Sequence, residues 1–402
     1  MSVTIAILGL GLLVLVHEAG HFFASLAVGL RPRRFYLGFP PPLVKVKRNG
    51  IEYGIGIVPL GGFVTIPGMH RPIPHDAERR FSRAVSEIPS LAVPFDRLRH
   101  ALAGEDTGAS LAAVDALEQC LQAKRLSPEA ASAAGRGLTE LRDALGPDAY
   151  WKAATWRRLL TILAGPLANV LLAIVLLTVL FMTGSVKPSR IVAGVESGSP
   201  AQVAGIRAGD RVVAINGARV TAENLPDAIL NSHGRPLVVT IERDGETRTL
   251  PAVRPMKTPA GYRLGILRKG VGVDAADAFV RSLKWTGILT REMGVALGHL
   301  ATGQGRKDVS SPIGIVQGSA DAVNEGTSSY LWVLSLVSLS LALLNLLPLL
   351  PLDGGHVLFT LIEGARGRLV RREIYERVSF VGLAVVVLLF FIGLSNDISG
   401  LS

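Results

Sequence analysis

The chain has 402 residues, of which 49% are hydrophobic and 18% charged, and its formal net charge is +10. Its mean hydropathy of +0.40 is high for a soluble protein and predicts a membrane protein with parts outside the bilayer. The single cysteine, Cys120, excludes an internal disulfide framework. The basic excess is typical of cytoplasmic loops, and no basic patch interleaved with aromatic residues indicates a nucleic-acid partner.

Four segments are apolar over about the 20 residues that a membrane helix needs. They are Val3–Leu30, Leu159–Thr183, Tyr330–Leu350 and about Val378–Leu394. The first begins without the Lys or Arg of a cleaved signal peptide, so we expect it to be retained as a span.

Basic residues cluster after the first segment, before the second, and between the third and the fourth. Because positively charged loops stay on the cytoplasmic side, the pattern predicts the orientation of every span. Residues 31–158 and 364–377 are expected to be cytoplasmic. Both chain ends and residues 184–329 are expected to be external.

The first span contains the polar sequence "HEAGH" (17–21), although ionisable groups in a bilayer are costly and usually functional. His17 and His21 are four residues apart, so they share one helix face and can bind one zinc ion. Glu18 stands beside them as a candidate general base. Catalytic zinc usually has three protein ligands, and Asp353 is the best third candidate because the predicted topology gives it a similar depth.

Other readings of these groups stay open at this point. A His-Glu-x-x-His pattern can arise by chance in a helix. A histidine pair in a membrane can also serve a proton relay or a metal transport site.

"HEAGH" in the first span and "NLLPLLPLDGG" (345–355) after the third together resemble the site-2 protease family of intramembrane zinc metalloproteases. "RRLLTILAGPLANVLLA" (157–173) and "SPIGI" (311–315) are similar to further family segments. The resemblance implies that His17, His21 and Asp353 bind Zn²⁺ and that Glu18 is the catalytic base.

The resemblance also gives expectations for two asparagines and one further histidine. Asn345 would hold the substrate backbone near the metal, with an interhelical hydrogen bond as the alternative. Asn169 would be structural and pair helices. His356 would be a histidine near the end of a helix rather than a group that supports the metal.

The family implies a zinc metalloendopeptidase of the bacterial plasma membrane with its active site toward the cytoplasm. Its substrates would be single-pass membrane proteins, such as clipped anti-sigma factors or remnant signal peptides, cut in regulated intramembrane proteolysis. The rival functions are a catalytically inactive PDZ scaffold and a metal or proton transporter.

The segment Leu43–Ile66 alternates apolar and polar residues on both sides of Asn49-Gly50, which predicts a β-hairpin close to His21. An open strand edge there would bind an unwound substrate as an added strand. The alternative is a plain lid on the helix bundle.

The external stretch "SPAQVAGIRAGDRVVAING" (199–217) resembles a PDZ domain of the bacterial protease type. Such a domain, expected over about 186–268, binds an extended peptide or a cleaved end by strand addition. A surface helix is expected from Asp274 to about His299.

Residues 70–155 read as an Ala-rich, charged cytoplasmic insertion. Gly108–Arg125 and Ser127–Leu145 have helical patterns, and Ser127 with Pro128 forms a helix start, so we expect a helical hairpin. The insertion binds a partner, covers the active site or is simply solvated. Cys120 is expected to pack within it.

The predicted fold is a multi-pass α-helical membrane protein with four transmembrane helices, a membrane-proximal β-hairpin region and an external PDZ-like domain. Its predicted segments are the first span (1–30), β region (31–69), insertion (70–155), second span (156–183), PDZ-like domain (184–270), surface helix and linker (271–329), third span (330–363), basic loop (364–377), and fourth span with tail (378–402).

Overall fold

The computed structural model describes residues 1–183, 187–222, 224–258, 261–306 and 309–400. The first residues of the predicted PDZ-like domain, 184–186, and the last two of the predicted tail lie outside the described residues. The chain divides into two compact units. Unit one comprises 1–172, 292–321 and 337–402, and unit two comprises 173–291 and 322–336.

Helices dominate the chain. They are α1 (Ser2–Ala27), α2 (Pro74–Glu87), α3 (Ala92–Ala103), α4 (Thr107–Gln122), α5 (Pro128–Leu145), α6 (Thr155–Thr183), α7 (Pro200–Val203), α8 (Leu225–Leu230), α9 (Ala275–Ala301), α10 (Pro312–Glu325), α11 (Thr327–Asn345), α12 (Asp353–Arg366) and α13 (Arg372–Gly400). The strands are β1 (Arg34–Arg48), β2 (Ile51–Thr65), β3 (Lys187–Val195), β4 (Arg211–Ile215), β5 (Ala218–Arg219), β6 (Val239–Arg243), β7 (Glu246–Thr249), β8 (Met256–Thr258), β9 (Gly261–Arg263) and β10 (Ile266–Val271).

Four of the described helices are long and apolar enough to cross a membrane, as the sequence predicts. They are Ser2–Ala27, Thr155–Thr183, Thr327–Asn345 and Arg372–Ser399. Large apolar side chains on them remain exposed, including Leu8, Phe23, Leu171 and Phe380. Exposed apolar surface of this kind is suited to contact with lipid.

The third predicted segment, 330–363, is not one continuous helix. Helix α11 ends at Asn345 and α12 begins at Asp353. Pro348 and Pro351 lie between them, and each lacks the amide proton that a helix interior needs. The segment 346–352, called the corner segment below, therefore interrupts the helix.

The corner segment folds directly onto the first turn of α12. A Cβ atom at Gly354 would collide with the carbonyls of Leu346 and Leu347, and one at Gly355 would collide with the backbone of Leu349. Glycine permits this close approach because it has no side chain.

Strands β1 and β2 form the predicted hairpin. Asn49 and Gly50 both have positive φ, at 50° and 81°, as the tight turn requires. The start of β1, residues 34–37, pairs with 52–55 on one side and with 62–65 on the other. Strand β2 therefore folds back across β1, which the sequence pattern did not predict.

The insertion contains four helices, α2 to α5, around an apolar core of its own. The two predicted helices are confirmed as α4 and α5, and Ser127 caps α5 through its bond from the Ala130 amide. Helices α2 and α3 are additional. Phe81 of α2 and Leu98 of α3 are among the most buried side chains of this core. Cys120 packs against the core, as expected.

In unit two, the region predicted to be PDZ-like has a sheet with the strand order β10-β3-β4-β6-β7, and β5 pairs with β4. Its core includes Val239 and Ile241 of β6. Asp210 is buried there and accepts two bonds from Arg243. Burial alone would raise the pKa of Asp210, but the bonds from Arg243 outweigh it and lower that pKa. A helix, α9, occupies the stretch where the surface helix was predicted, and its place on the outer surface stays a prediction.

Candidate metal centre

Three side chains that the sequence singles out meet in unit one. The Nε2 atoms of His17 and His21 lie 3.2 Å apart. Asp353 Oδ2 lies 3.2 Å from the first nitrogen and 3.3 Å from the second. Residues more than three hundred positions apart thus bring three potential metal-binding atoms together. These atoms, on His17, His21 and Asp353, are called the donor triangle below.

The triangle fits a zinc ion. Ligand atoms at the usual zinc distance of about 2.0–2.1 Å in tetrahedral geometry lie about 3.3 Å from one another. Asp353 Oδ2 is buried and has no hydrogen-bond partner among the described residues, although an unpaired buried carboxylate oxygen is costly. A cation bound by all three residues removes that cost, and three protein ligands leave a fourth position for reaction chemistry.

Helix α1 presents the two histidines, and α6 packs antiparallel against the same face. A Cβ at Gly20 would collide with the backbone of Ala164, so the two helices are in close contact. His21 Nδ1 lies 2.9 Å from the carbonyl oxygen of Thr161. Because that carbonyl can only accept, Nδ1 carries the proton and Nε2 keeps its lone pair for a metal.

Gly165 of α6 makes room for the imidazole of His21. A Cβ there would overlap the His21 ring. Gly165 lies in the segment "RRLLTILAGPLANVLLA" (157–173). Its specific role is to leave the volume that the candidate ligand occupies.

Asn169 lies one turn further along α6 and is fully buried. Its carboxamide nitrogen lies 3.4 Å from His17 Nδ1, and its backbone carbonyl accepts a bond from Ser338. We expected only helix pairing from this residue, so its contact with His17 was missed. The available signal was spacing, because Gly165 and Asn169 are four residues apart, as are His17 and His21.

Glu18 faces the hairpin. Its carboxylate lies close enough to the Val64 backbone and to both histidines to interact with them electrostatically. A Cβ at Gly62 would lie 3.1 Å from Glu18 Cγ. Strand β2 therefore passes directly over the candidate base.

Two other predicted residues, Asn345 and His356, have no hydrogen bond to the donor triangle among the described contacts. Asn345 donates to the carbonyl of Leu341 in its own helix at 3.0 Å, and its expected role in substrate binding stays a prediction. The interhelical bond considered as an alternative does not occur among the described contacts. His356 lies in the first turns of α12, with its ring 6.0 Å from that of Tyr375.

A His-Glu-x-x-His helix joined by an aspartate defines the centre of a metal-dependent hydrolase, carried here on helices suited to a membrane. Residues 5–389 match the model of Peptidase family M50, and the chain belongs to this family, that of the site-2 proteases.

Several relatives match nearly the whole chain. The zinc metalloprotease RasP of Geobacillus kaustophilus is 30% identical over 96% of this chain and 95% of its own length. The putative zinc metalloprotease Atu1380 of Agrobacterium fabrum is 29% identical over 98% and 95%, and the probable protease eep of Enterococcus faecalis is 27% identical over 96% of both. The chain is a membrane protein and a zinc metalloendopeptidase.

Proposed function

We propose that this protease cuts a peptide bond within or next to the membrane span of a single-pass protein. His17, His21 and Asp353 hold the zinc ion in this proposal. When bound, zinc supplies a Lewis acid that polarises the scissile carbonyl and lowers the pKa of water. Glu18 takes the proton from the attacking water and gives it to the leaving amine.

The observation that carries the proposal is the position of β2 over Glu18. Residues 62–65 pair with β1 along one edge, and no strand pairs with their other edge among the described residues. Val64 in this segment lies close enough to the Glu18 carboxylate to interact with it electrostatically. A substrate segment added there as an extended strand would expose its carbonyls beside the donor triangle.

The test is cleavage of a tagged single-span substrate in reconstituted membranes, with zinc content measured on every variant. Glu18→Gln should retain zinc and lose at least about 10²-fold in rate, because general-base catalysis supplies about that much or more. Asp353→Asn should lose zinc affinity. Glu129→Gln, an exposed carboxylate of α5, is the matched control and should cut as wild type does.

The two rival functions, a scaffold and a transporter, predict different experimental results. Zinc binding without cleavage in wild type, even after removal of the PDZ-like domain, would favour a scaffold. Zinc or proton flux into wild-type vesicles without proteolysis would favour a transporter.

The native substrates proposed by resemblance are anti-sigma factors already clipped outside the membrane and remnant signal peptides. Full-length and externally trimmed versions of one anti-sigma factor should be compared in the same membranes. Faster cleavage of the trimmed form would support a role in regulated intramembrane proteolysis, and equal rates would contradict a requirement for trimming.

A second site is proposed in the PDZ-like region. A cavity of about 350 Å³ lies between α8 and the start of β10, with Leu225, Ile229 and Ile266 in its lining. Strand β10 is an edge of its sheet. This arrangement supports binding of an extended apolar chain end. A fluorescent apolar peptide should bind the full chain, and Ile229→Arg should weaken binding. Amidation of the peptide's carboxyl end tests whether the end itself is recognised.

The proposed orientation places the insertion in the cytoplasm and the PDZ-like region outside. In a Cys120→Ser background, Gly135→Cys and Thr247→Cys each add one thiol at an exposed position. A membrane-impermeant reagent applied to intact cells should label only the second. Labelling of the Gly135→Cys variant alone would show that the orientation is the opposite of the one proposed.

A further inference from the structure

The side chain of Asn169 has no part in the bond between α11 and α6. The bond between α11 and α6 runs from the Ser338 hydroxyl to the backbone carbonyl of Asn169, at 2.8 Å. Any residue provides that carbonyl. The carboxamide instead faces Nδ1 of His17, and both residues are buried.

Proton positions decide which end of the carboxamide can face His17. A histidine that ligates zinc through Nε2 carries its proton on Nδ1, so it must donate from that nitrogen. With the Asn169 nitrogen toward it, two N–H groups would oppose each other. The carboxamide oxygen and nitrogen have nearly the same shape, and their assignment follows from the hydrogen-bond network.

The other end of the same carboxamide supports a rotated arrangement. Asn169 Oδ1 is buried and has no hydrogen-bond partner among the described residues. A half-turn about the last side-chain torsion brings this oxygen to His17, where it accepts the Nδ1 proton. His21 already has an equivalent acceptor in the Thr161 carbonyl.

We propose that Asn169 is a positioning residue for the metal centre, which accepts the Nδ1 proton of His17 through Oδ1 and so directs Nε2 to zinc. The inference rests on the proposed role of His17 as a zinc ligand. It predicts that the acceptor oxygen of residue 169 matters for zinc affinity, whereas its amide nitrogen does not.

The experiment measures the zinc dissociation constant of full-length protein in detergent, by competition with a chromophoric chelator. Asn169→Leu keeps the approximate size and removes both polar atoms. It should bind zinc about 10- to 100-fold more weakly, the usual cost of losing such a partner. Asn169→Asp keeps the acceptor and should retain at least wild-type affinity. Ser338→Ala removes only the interhelical bond and should bind as wild type does.

Absorption spectra of the Co²⁺-substituted proteins provide a second readout. The Asn169→Leu spectrum should shift because the His17 ring loses its fixed orientation, whereas the spectra of Asn169→Asp and Ser338→Ala should match that of wild type. Thermal unfolding of each variant shows whether it is folded.

Three results would overturn the inference. Wild-type zinc affinity in Asn169→Leu would show that the contact has no role. An equal loss in Asn169→Asp would assign the role to the amide nitrogen, and an equal loss in Ser338→Ala would assign it to helix packing. Failure of the proposed zinc-ligand role of His17 is distinct, because His17→Ala would then keep wild-type zinc affinity, and failure of the proposed proteolysis would appear as zinc binding without cleavage in wild type.

Discussion

The donor triangle and the helical insertion are held together in different ways, although both belong to unit one. Around the triangle, helices touch through glycines, backbone carbonyls and buried polar groups, and added methyl groups have no room. The insertion is held by an apolar core, with ion pairs on its surface. Close polar packing around the donor triangle holds individual side-chain atoms in defined positions. The apolar core of the insertion mainly holds its helices together.

The largest effect on stability is expected in the insertion. Phe81→Ala removes one of its largest fully buried side chains and should lower local stability by about 3–5 kcal/mol. Hydrogen exchange in α2 to α5 of the full chain measures the loss. Zinc affinity should stay unchanged, and a parallel loss of zinc would show that the two regions are coupled.

Gly165→Ala should damage the donor triangle without unfolding the insertion. Its methyl group overlaps the His21 ring, so we expect about a 100-fold loss of zinc affinity. Gly135→Ala in α5 is the matched control, because nothing lies within 4 Å of its added methyl group. The control should stabilise α5 by up to about 1 kcal/mol. Wild-type zinc binding by Gly165→Ala would contradict the close fit.

Ser127→Ala removes the cap of α5 and should cost about 1 kcal/mol in hydrogen exchange of that helix. Ser127 also donates two bonds to Glu87 and thereby lowers the pKa of that carboxyl group. A lowered folded-state pKa means that this stabilisation is present above the unfolded pKa and disappears as the pH falls through the folded one. The difference between wild type and variant should therefore shrink in acid, and a difference independent of pH would contradict this link.

The smallest effect is expected at Arg142, which pairs with Asp115 and Glu118 on the insertion surface. Arg142→Met should cost less than about 1 kcal/mol, because exposed ion pairs are weak. About 1 M salt should remove the difference. A larger loss that resists salt would mean that the methylene groups of Arg142 contribute through packing.

Short motifs with fixed geometry were predictable from the sequence. The four-residue spacing of His17 and His21 determines a shared helix face, and Asn49-Gly50 determines a turn. Asp353 was predictable because an aspartate near a membrane span needs a partner. In the insertion, Ser127 marked the start of α5, since a side-chain cap acts within three residues.

Contacts between distant segments were not predictable in the same way. The meeting of Asn169 with His17 depends on the antiparallel register of α6 against α1, which no local pattern encodes. Helices α2 and α3 were missed because their apolar positions are separated by many charged residues, and their stability comes from the shared core. The fold-back of β2 depends on pairing across β1 rather than on its own alternation.

The corner segment has a consequence for how the enzyme acquires its metal in the cell. Three glycines pack closely against this segment. Gly382 of α13 lies against the Leu350 carbonyl, and Gly354 and Gly355 of α12 lie against the backbone of other residues in the segment. This close packing restricts the backbone on which the candidate ligand Asp353 stands. A ready-made cage of two imidazoles and one carboxylate binds several divalent metals in order of their intrinsic affinity. Selection of zinc at a site of this kind therefore depends on metal availability as well as on ligand type.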